Sequence, residues 1–246
     1  MSKSSNFAAV MGNHYFEFRH FIVHQDHCGM KVGTDGTLLG AWARMGSQGT
    51  RVLDIGTGTG LIALMMAQRF AEASITAIDI DPAAVTQARR NAGDSPFADR
   101  ITVMEADIAD FNDEGLFDAI VSNPPYFNDS LQSPDAQRTI ARHTASLSYS
   151  TLISSAYRLL ADDGMLSVII PDNFRECLMA EAHLRGFFLT RQFAVRTSPR
   201  KLPKRYLIEL MKHPVGEIDK QEVIIELSPG QRSPWYQQLT ADFYIK

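Results

Sequence analysis

The residues with the clearest chemical potential in this chain are Ser122-Asn123-Pro124-Pro125-Tyr126-Phe127, which close an apolar run over residues 117–121. That run reads as a buried strand. Two consecutive prolines cannot continue it, because they remove two backbone donors, fix two φ angles and push Asn123 into an extended conformation. The strand must end in a stiff loop that holds an amide, a backbone carbonyl and an aromatic ring in a fixed relation. Such a set fits a planar nucleobase carrying an exocyclic amine. The Asn123 side-chain oxygen and the Pro124 carbonyl can accept from the NH2 group, while Tyr126 stacks on the ring. A bare Pro-Pro pair would only stop a strand. Here the word follows a parallel-type strand with a glycine-rich turn about 70 residues upstream, the crossover spacing of an open α/β sheet.

That turn begins with an apolar strand over residues 51–55 that carries Asp54 near its end. Gly56, Gly58 and Gly60 follow, then an apolar helix over 61–70. Glycines let the backbone turn sharply and let a ligand approach with no Cβ in the way. The third glycine comes one residue too early for the dinucleotide fingerprint G-x-G-x-x-G. A second strand over 74–78 ends at Asp79, about 20 residues after the turn, where a carboxylate can accept both hydroxyls of a ribose. Asp81 before Pro82 reads as the cap of a helix over 82–91. A third strand over 101–104 runs into Glu105-Ala106-Asp107-Ile108.

Together, the D-x-G-x-G-x-G turn and the Asn-Pro-Pro-Tyr word resemble the amino-group methyltransferases of the class I, S-adenosylmethionine-dependent superfamily. The resemblance implies a Rossmann-like α/β fold: a seven-stranded, mostly parallel sheet with an antiparallel last strand and helices on both faces. It implies that Gly56, Gly58 and Gly60 face the amino-acid part of S-adenosylmethionine and that Asp54 helps indirectly to hold its ammonium group. Asp79 would take the ribose and Asp107 the adenine amine, with Ile80 and Ile108 on the two sides of the adenine ring. The segment before the sheet, with Lys31, Thr34 and Asp35, would enclose the methionine end. Asn123, also at the cofactor, would act with Pro124, Pro125 and Tyr126 on the amine that is methylated.

Residues 30–42 and Ala141-Arg142-His143-Thr144 extend the likeness over nearly the whole chain. With them it resembles the bacterial family that methylates adenine N6 in a valine tRNA, immediately 3′ of the anticodon. The same four-residue word serves other amines, so a methyltransferase of a protein glutamine amide or of another RNA base, such as one in rRNA, is the alternative. Glutamine-directed relatives carry a helical domain before the sheet, whereas about 45 residues precede the first sheet strand here, including a hairpin over 15–24. DNA adenine methylases more often have Asp in the first position and a separate recognition domain. A nonenzymatic RNA-binding protein on this scaffold would lack the intact glycine and acid series, and the glycine spacing disfavours an NAD-dependent oxidoreductase.

The elements that must position these residues follow the same pattern. Residues 1–45 are expected to form a tail, a hairpin and a helix over about 34–44, capped by Thr34 or Asp35, packing on a catalytic domain over 46–246. Beyond the Pro-Pro loop, a polar stretch over 128–148 carries Arg142 and His143, as an active-site or binding loop would. A helix over 149–160, a turn over 162–164 and a strand over 165–170 come next. A helix over 174–183 and strands over 187–195 and 205–211 follow, the last antiparallel by the resemblance. Residues 222–227 offer a late strand, and 235–244 an aromatic end.

With 246 residues, 45% apolar and 21% charged, the chain is an ordinary globular protein. Its net charge of −4 argues against indiscriminate nucleic-acid binding, so an RNA partner needs a local basic surface. Residues 184–208 supply one, free of Asp and Glu. Within it Arg196, Arg200, Lys201, Lys204 and Arg205 lie on a proline-stiffened connection that could grip a phosphate backbone, with Arg142 as a further candidate. Cys28 and Cys177 are too few for a disulfide framework and suggest a reducing, cytoplasmic setting. Residues 1–10 lack a signal-peptide core, and no apolar run approaches membrane-spanning length. His24, His27 and Cys28 lack a second ligand pair, so no metal is expected. The implied partner is a tRNA, and the implied state a monomer or weak dimer.

Overall fold

In the computed structural model, which describes residues 14–26, 31–46, 49–125 and 147–245, the chain opens with a hairpin of β1 (Tyr15–Glu17) and β2 (Ile22–His24). Helix α1 (Thr34–Trp42) follows. Strand and helix then alternate through β3 (Arg51–Ile55), α2 (Leu61–Arg69), β4 (Ser74–Asp79), α3 (Pro82–Gly93), β5 (Ile101–Glu105) and β6 (Phe117–Ser122). The second half comprises α4 (Tyr149–Leu159), β7 (Leu160–Pro171), α5 (Asp172–Arg185), β8 (Phe188–Arg196), β9 (Arg205–Met211) and β10 (Asp219–Ile224). A small hairpin of β11 (Glu226–Ser228) and β12 (Gln231–Arg232) and the helix α6 (Pro234–Leu239) complete it.

The main sheet has the order β10-β8-β9-β7-β6-β3-β4-β5. Only β9 runs against the others, antiparallel to both β7 and β8. The expected mostly parallel sheet with its reversed strand is therefore present, and β10 adds an eighth strand parallel to β8. Its first four residues, Asp219, Lys220, Gln221 and Glu222, are exposed, so it lacks the apolar alternation that marks a half-buried strand.

Strand periodicity divides the core between the two faces of the sheet. In β3, Val52 packs with α1, α2 and the N-terminal hairpin, whereas Leu53 and Ile55 pack with α4 and α5 on the other face. Helix caps follow sequence chemistry. Asp81 accepts from the Ala83 N–H with Pro82 at the first helical position, and Ser148 accepts from the Thr151 N–H. Gly186, at φ +98°, closes α5 in the left-handed conformation.

Three expectations need correction. The N-cap residue of α1 is Gly33, not Thr34 or Asp35; it has no side chain to cap the first turn, and its carbonyl accepts the first helical bond from the Thr37 N–H and a second from the Thr37 hydroxyl. That helix stops at Trp42, where Arg69 Nη1 takes the carbonyls of Gly40 (2.8 Å) and Ala43 (2.6 Å). Burial, with Arg191 adding to it, lowers Arg69 to about 10, so it stays charged at neutrality and offsets the negative end of the helix. Residues 162–164 do not form a separate turn but lie inside β7, where the pairing with β6 slips between Phe117 and Ala119.

Helix α1 is buried from Gly36 to Trp42 and packs on α2. A Cβ at Gly40 would meet the Met65 sulfur at 2.7 Å, so the two helices approach as closely as a glycine allows. The segment before the sheet is thus held against the first helix after the glycine turn. On β9, fully buried Glu209 accepts from Arg44 (2.5 and 3.0 Å), Arg191 (3.1 Å) and Thr190 (2.9 Å). A buried carboxylate with one arginine removed would be left short of compensation, so this cluster locks α1 to β8 and β9.

Candidate active site

The turn after β3 uses positive φ at all three glycines, +69° at Gly56, +56° at Gly58 and +81° at Gly60. Other residues resist that conformation by roughly 1–2 kcal/mol. The three have different tasks. A Cβ built on Gly56 or Gly58 meets nothing within 4 Å, so both turn a bare backbone toward open space. One on Gly60 would come into contact with Ala88 at 3.4 Å, so Gly60 faces α3 and not the open space.

Asp54 lies beneath this turn, fully buried. Its Oδ2 accepts from the Thr57 hydroxyl at 2.7 Å and from the Ala63 N–H at 3.1 Å, in the first turn of α2. Its Oδ1 is buried with no hydrogen-bond partner among the described residues. Desolvation pushes the carboxyl up to about 7, against the two hydrogen bonds, which favour the charge. That oxygen is closed off from the cleft above the turn, whose lining does not include Asp54, so the carboxylate can act on a cation there only through its field and through the backbone it holds.

Asp79 at the end of β4 is fixed from two sides. Its Oδ2 accepts from the Gly58 N–H at 2.9 Å and its Oδ1 from the Asp81 N–H at 3.0 Å. The same carboxylate thus shapes the glycine turn and retains further lone pairs for a diol. After β5, Asp107 accepts from the Ala109 N–H at 2.9 Å, and this tight turn is held from outside by Arg158 of α4. Arg158 donates to the carbonyls of Phe111 (2.9 Å) and Ile108 (3.4 Å) and to the Asn112 side chain (2.7 Å). Nothing local in the sequence marks Arg158, which lies some 50 positions from the turn it supports. The two isoleucines expected on either side of a ring differ: Ile80 is 41% exposed, but Ile108 is 4% exposed and packs in the core, so it can offer a ring little more than an edge.

A cleft of about 360 Å³ gathers one part of these residues. Lys31, Thr34 and Asp35 from the segment before the sheet, Gly56 and Gly58 of the glycine turn, and Asn123 after β6 all line it. Asp79, Ile80, Asp107 and Ile108 lie on the neighbouring strand ends, beyond that lining. Ser122 donates its hydroxyl to the Ile55 carbonyl at 2.9 Å, tying the last residue of β6 to the strand that leads into the glycine turn. Pro124 behind Asn123 is buried and Pro125 half-buried. Tyr126 and Arg142 fall outside the described residues.

The basic connection divides in two. Arg200, Lys201 and Lys204 are exposed. Arg196 instead donates to the carbonyls of Lys201 (2.6 Å) and Pro199 and pairs with Glu222 at 2.5 Å, while Arg205 pairs with Asp35 at 2.7 Å. The absence of acids along residues 184–208 does not survive folding, since Glu222 and Asp35 approach from other elements. Among the described residues, no cluster of His, Cys, Asp and Glu could hold a metal ion, and no helix is long and apolar enough to cross a membrane.

Residues 37–198 match the family described as the methyltransferase small domain. The chain is 51% identical over 235 residues to the tRNA1(Val) (adenine(37)-N6)-methyltransferase of Phocaeicola vulgatus, covering 96% of this chain and 99% of that one. Enzymes of the same name from Bacteroides thetaiotaomicron and Vibrio campbellii are 46% and 41% identical, over 96% and 94% of this chain and 99% and 95% of theirs. Among solved structures, a predicted O-methyltransferase from Agrobacterium tumefaciens superposes with a TM-score of 0.65 at 20% identity, covering 85% of this chain and 96% of that one. A glycopeptide N-methyltransferase complexed with S-adenosylmethionine gives 0.54 at 14% identity, over 74% of this chain and all (100%) of that one. These two likenesses concern the fold.

Proposed function

The chain belongs to the methyltransferase small domain family, and from that premise we propose that it methylates N6 of the adenosine beside the anticodon of a valine tRNA. The observation that carries this reading is the shared cleft: Asn123, an acceptor suited to an exocyclic amine, lines the same space as Gly56 and Gly58.

S-adenosylmethionine is the methyl donor of the family, and its sulfonium supplies an electrophilic methyl group. The residues present fit it. The open backbone at Gly56 and Gly58 suits its amino-acid end, with Lys31, Thr34 and Asp35 enclosing it and Asp54 acting indirectly from beneath the turn. Asp79 would take the ribose hydroxyls and Asp107 the adenine amine, with Ile80 and the edge of Ile108 at the ring.

The amine of adenine is a poor nucleophile because its lone pair is delocalised into the ring. Asn123 and the Pro124 carbonyl would accept its two N–H groups, letting the nitrogen pyramidalise and stabilising the positive charge that develops there. No strong base is needed at this nitrogen, since the methylated ammonium is very acidic. Pro125 keeps the loop stiff, and Tyr126 would stack on the base. Orientation by such a rigid loop can contribute on the order of 7–11 kcal/mol. A loop adenosine is already outside a duplex, so its extrusion costs less than from paired nucleic acid. Arg200, Lys201 and Lys204 would meet the RNA backbone.

Incubation with labelled S-adenosylmethionine and total tRNA from a strain lacking this gene, followed by nucleoside digestion, tests the reading. N6-methyladenosine confined to one valine tRNA is expected. Label absent from RNA but present in protein of the same extract would move the activity to the glutamine amide.

A further inference from the structure

A second cleft, of about 540 Å³, lies between the connection after β8 and the β11–β12 hairpin. Thr197, Ser198, Arg200 and Lys201 line one wall, and Glu226 and Ser228 the other. The walls are tied by the backbone: the Ile225 N–H donates to the Arg196 carbonyl at 2.9 Å and the Glu226 N–H to the Thr197 carbonyl at 3.1 Å. Arg196, bound to carbonyls of its own loop and to Glu222, shapes the first wall and leaves Arg200 and Lys201 exposed. Gly230, at φ +78°, makes the turn of the hairpin. The cleft is therefore built before any ligand arrives.

Its chemistry is mixed. Two cations suit a phosphate, but Glu226 in the same cleft repels one and accepts only from a donor. A ribonucleotide satisfies both, because its 2′-hydroxyl donates and distinguishes RNA from DNA. The topology sets the distance. Because β9 is antiparallel to both β7 and β8, β8 runs parallel to β6 and β7, so the β8–β9 connection emerges at the same C-terminal end of the strands as Asn123, and so does the chain leaving β10, which is parallel to β8. Counting across the sheet, β8 is three strand steps and β10 four steps from β6. At about 4.8 Å per step, the cleft lies roughly 14–19 Å from the catalytic loop. At about 3.4 Å per stacked nucleotide, that is within roughly six nucleotides of the target.

We propose that this cleft is a subsite for one flanking ribonucleotide of the substrate strand, its phosphate between Arg200 and Lys201 and its 2′-hydroxyl donating to Glu226. The proposal rests on the RNA reading above. It is tested with full-length valine tRNA carrying a single 2′-deoxy substitution, moved in turn through the positions flanking the target. The wild-type protein should lose about tenfold in kcat/KM at one flanking position, the scale of a hydrogen bond to a charged group. Glu226→Ala should erase that penalty, and Glu226→Gln, which keeps an acceptor, should restore part of it. Arg200→Ala with Lys201→Ala should raise the KM for tRNA and leave kcat and S-adenosylhomocysteine affinity in place. Equal tolerance of deoxy substitution at every flanking position, or a penalty that survives in Glu226→Ala, would overturn the subsite and leave the RNA reading standing. Failure of the wild-type protein to methylate unmodified tRNA would remove both.

Discussion

Lowering the pH from about 8 to about 6 should weaken binding of S-adenosylhomocysteine, which has the same amino-acid end as the cofactor, because it protonates Asp54. Desolvation raises this carboxyl from 3.8 to about 7 in the folded protein. At about 1.4 kcal/mol per tenfold change, the ionised form is disfavoured by about 4 kcal/mol. The sign for stability follows from a folded value above the unfolded one. Asp54's contribution is complete below 3.8 and is lost as the pH rises to about 7, above which the fold carries the whole cost of the buried charge. An ammonium group bound above the glycine turn, as proposed, would favour the ionised form through its field, so binding below about pH 7 should expel the proton. Roughly half a proton should be released at about pH 7, nearly one at about pH 6 and almost none at about pH 8, and affinity should fall toward tenfold per unit below about pH 7. Calorimetry in buffers of different ionisation enthalpy measures the proton count, and Asp54→Asn should abolish it. No release at about pH 6, or the same release in Asp54→Asn, would refute the reasoning.

Asn123→Ala should lower turnover by about 10²–10³ while S-adenosylhomocysteine affinity changes little; equal loss of both would remove its role at the amine. Arg205→Ala should raise the KM for the cofactor through Asp35, whereas a change confined to the KM for tRNA would return Arg205 to the RNA surface. Replacing Arg200, Lys201 and Lys204 together with Ala, which removes the phosphate contact shared by the first two and that of Lys204, should reduce the slope of log affinity against log salt by about 1.4, near 0.7 per phosphate contact on a single strand, and an unchanged slope would take all three off the RNA.

What could be read from the sequence was what the backbone dictates locally. Gly56, Gly58 and Gly60 announce a turn because other residues resist its φ values, and Pro124-Pro125 announce the end of β6 because proline cannot pair. Pairings between distant side chains carried no such mark. Arg205 meets Asp35 from 170 positions away, Arg196 meets Glu222 from 26 and Arg158 holds the Ile108 carbonyl from 50, so exposed basic residues and caged ones looked alike. Thr34 and Asp35 have the side chains that favour the cap of α1, but the position falls on Gly33, which has none to offer. Strand β10 was hard to bound because an edge strand with one wet face has little need of apolar residues.

That polar edge has a consequence for the life of the chain outside its active site. A sheet of this kind ends in strands whose free N–H and C=O groups can recruit another chain, and aggregation begins at such edges. Asp219, Lys220 and Glu222 set charges of both signs along the outermost strand, where a foreign strand would have to bury or match them. Behind β10 runs β8, whose Phe193 and Val195 are 4% and 2% exposed. A chain truncated before residue 219 would bare this apolar strand as the new edge. It should precipitate during expression even with every residue of the cofactor cleft intact, and solubility, not catalysis, would be the first property lost.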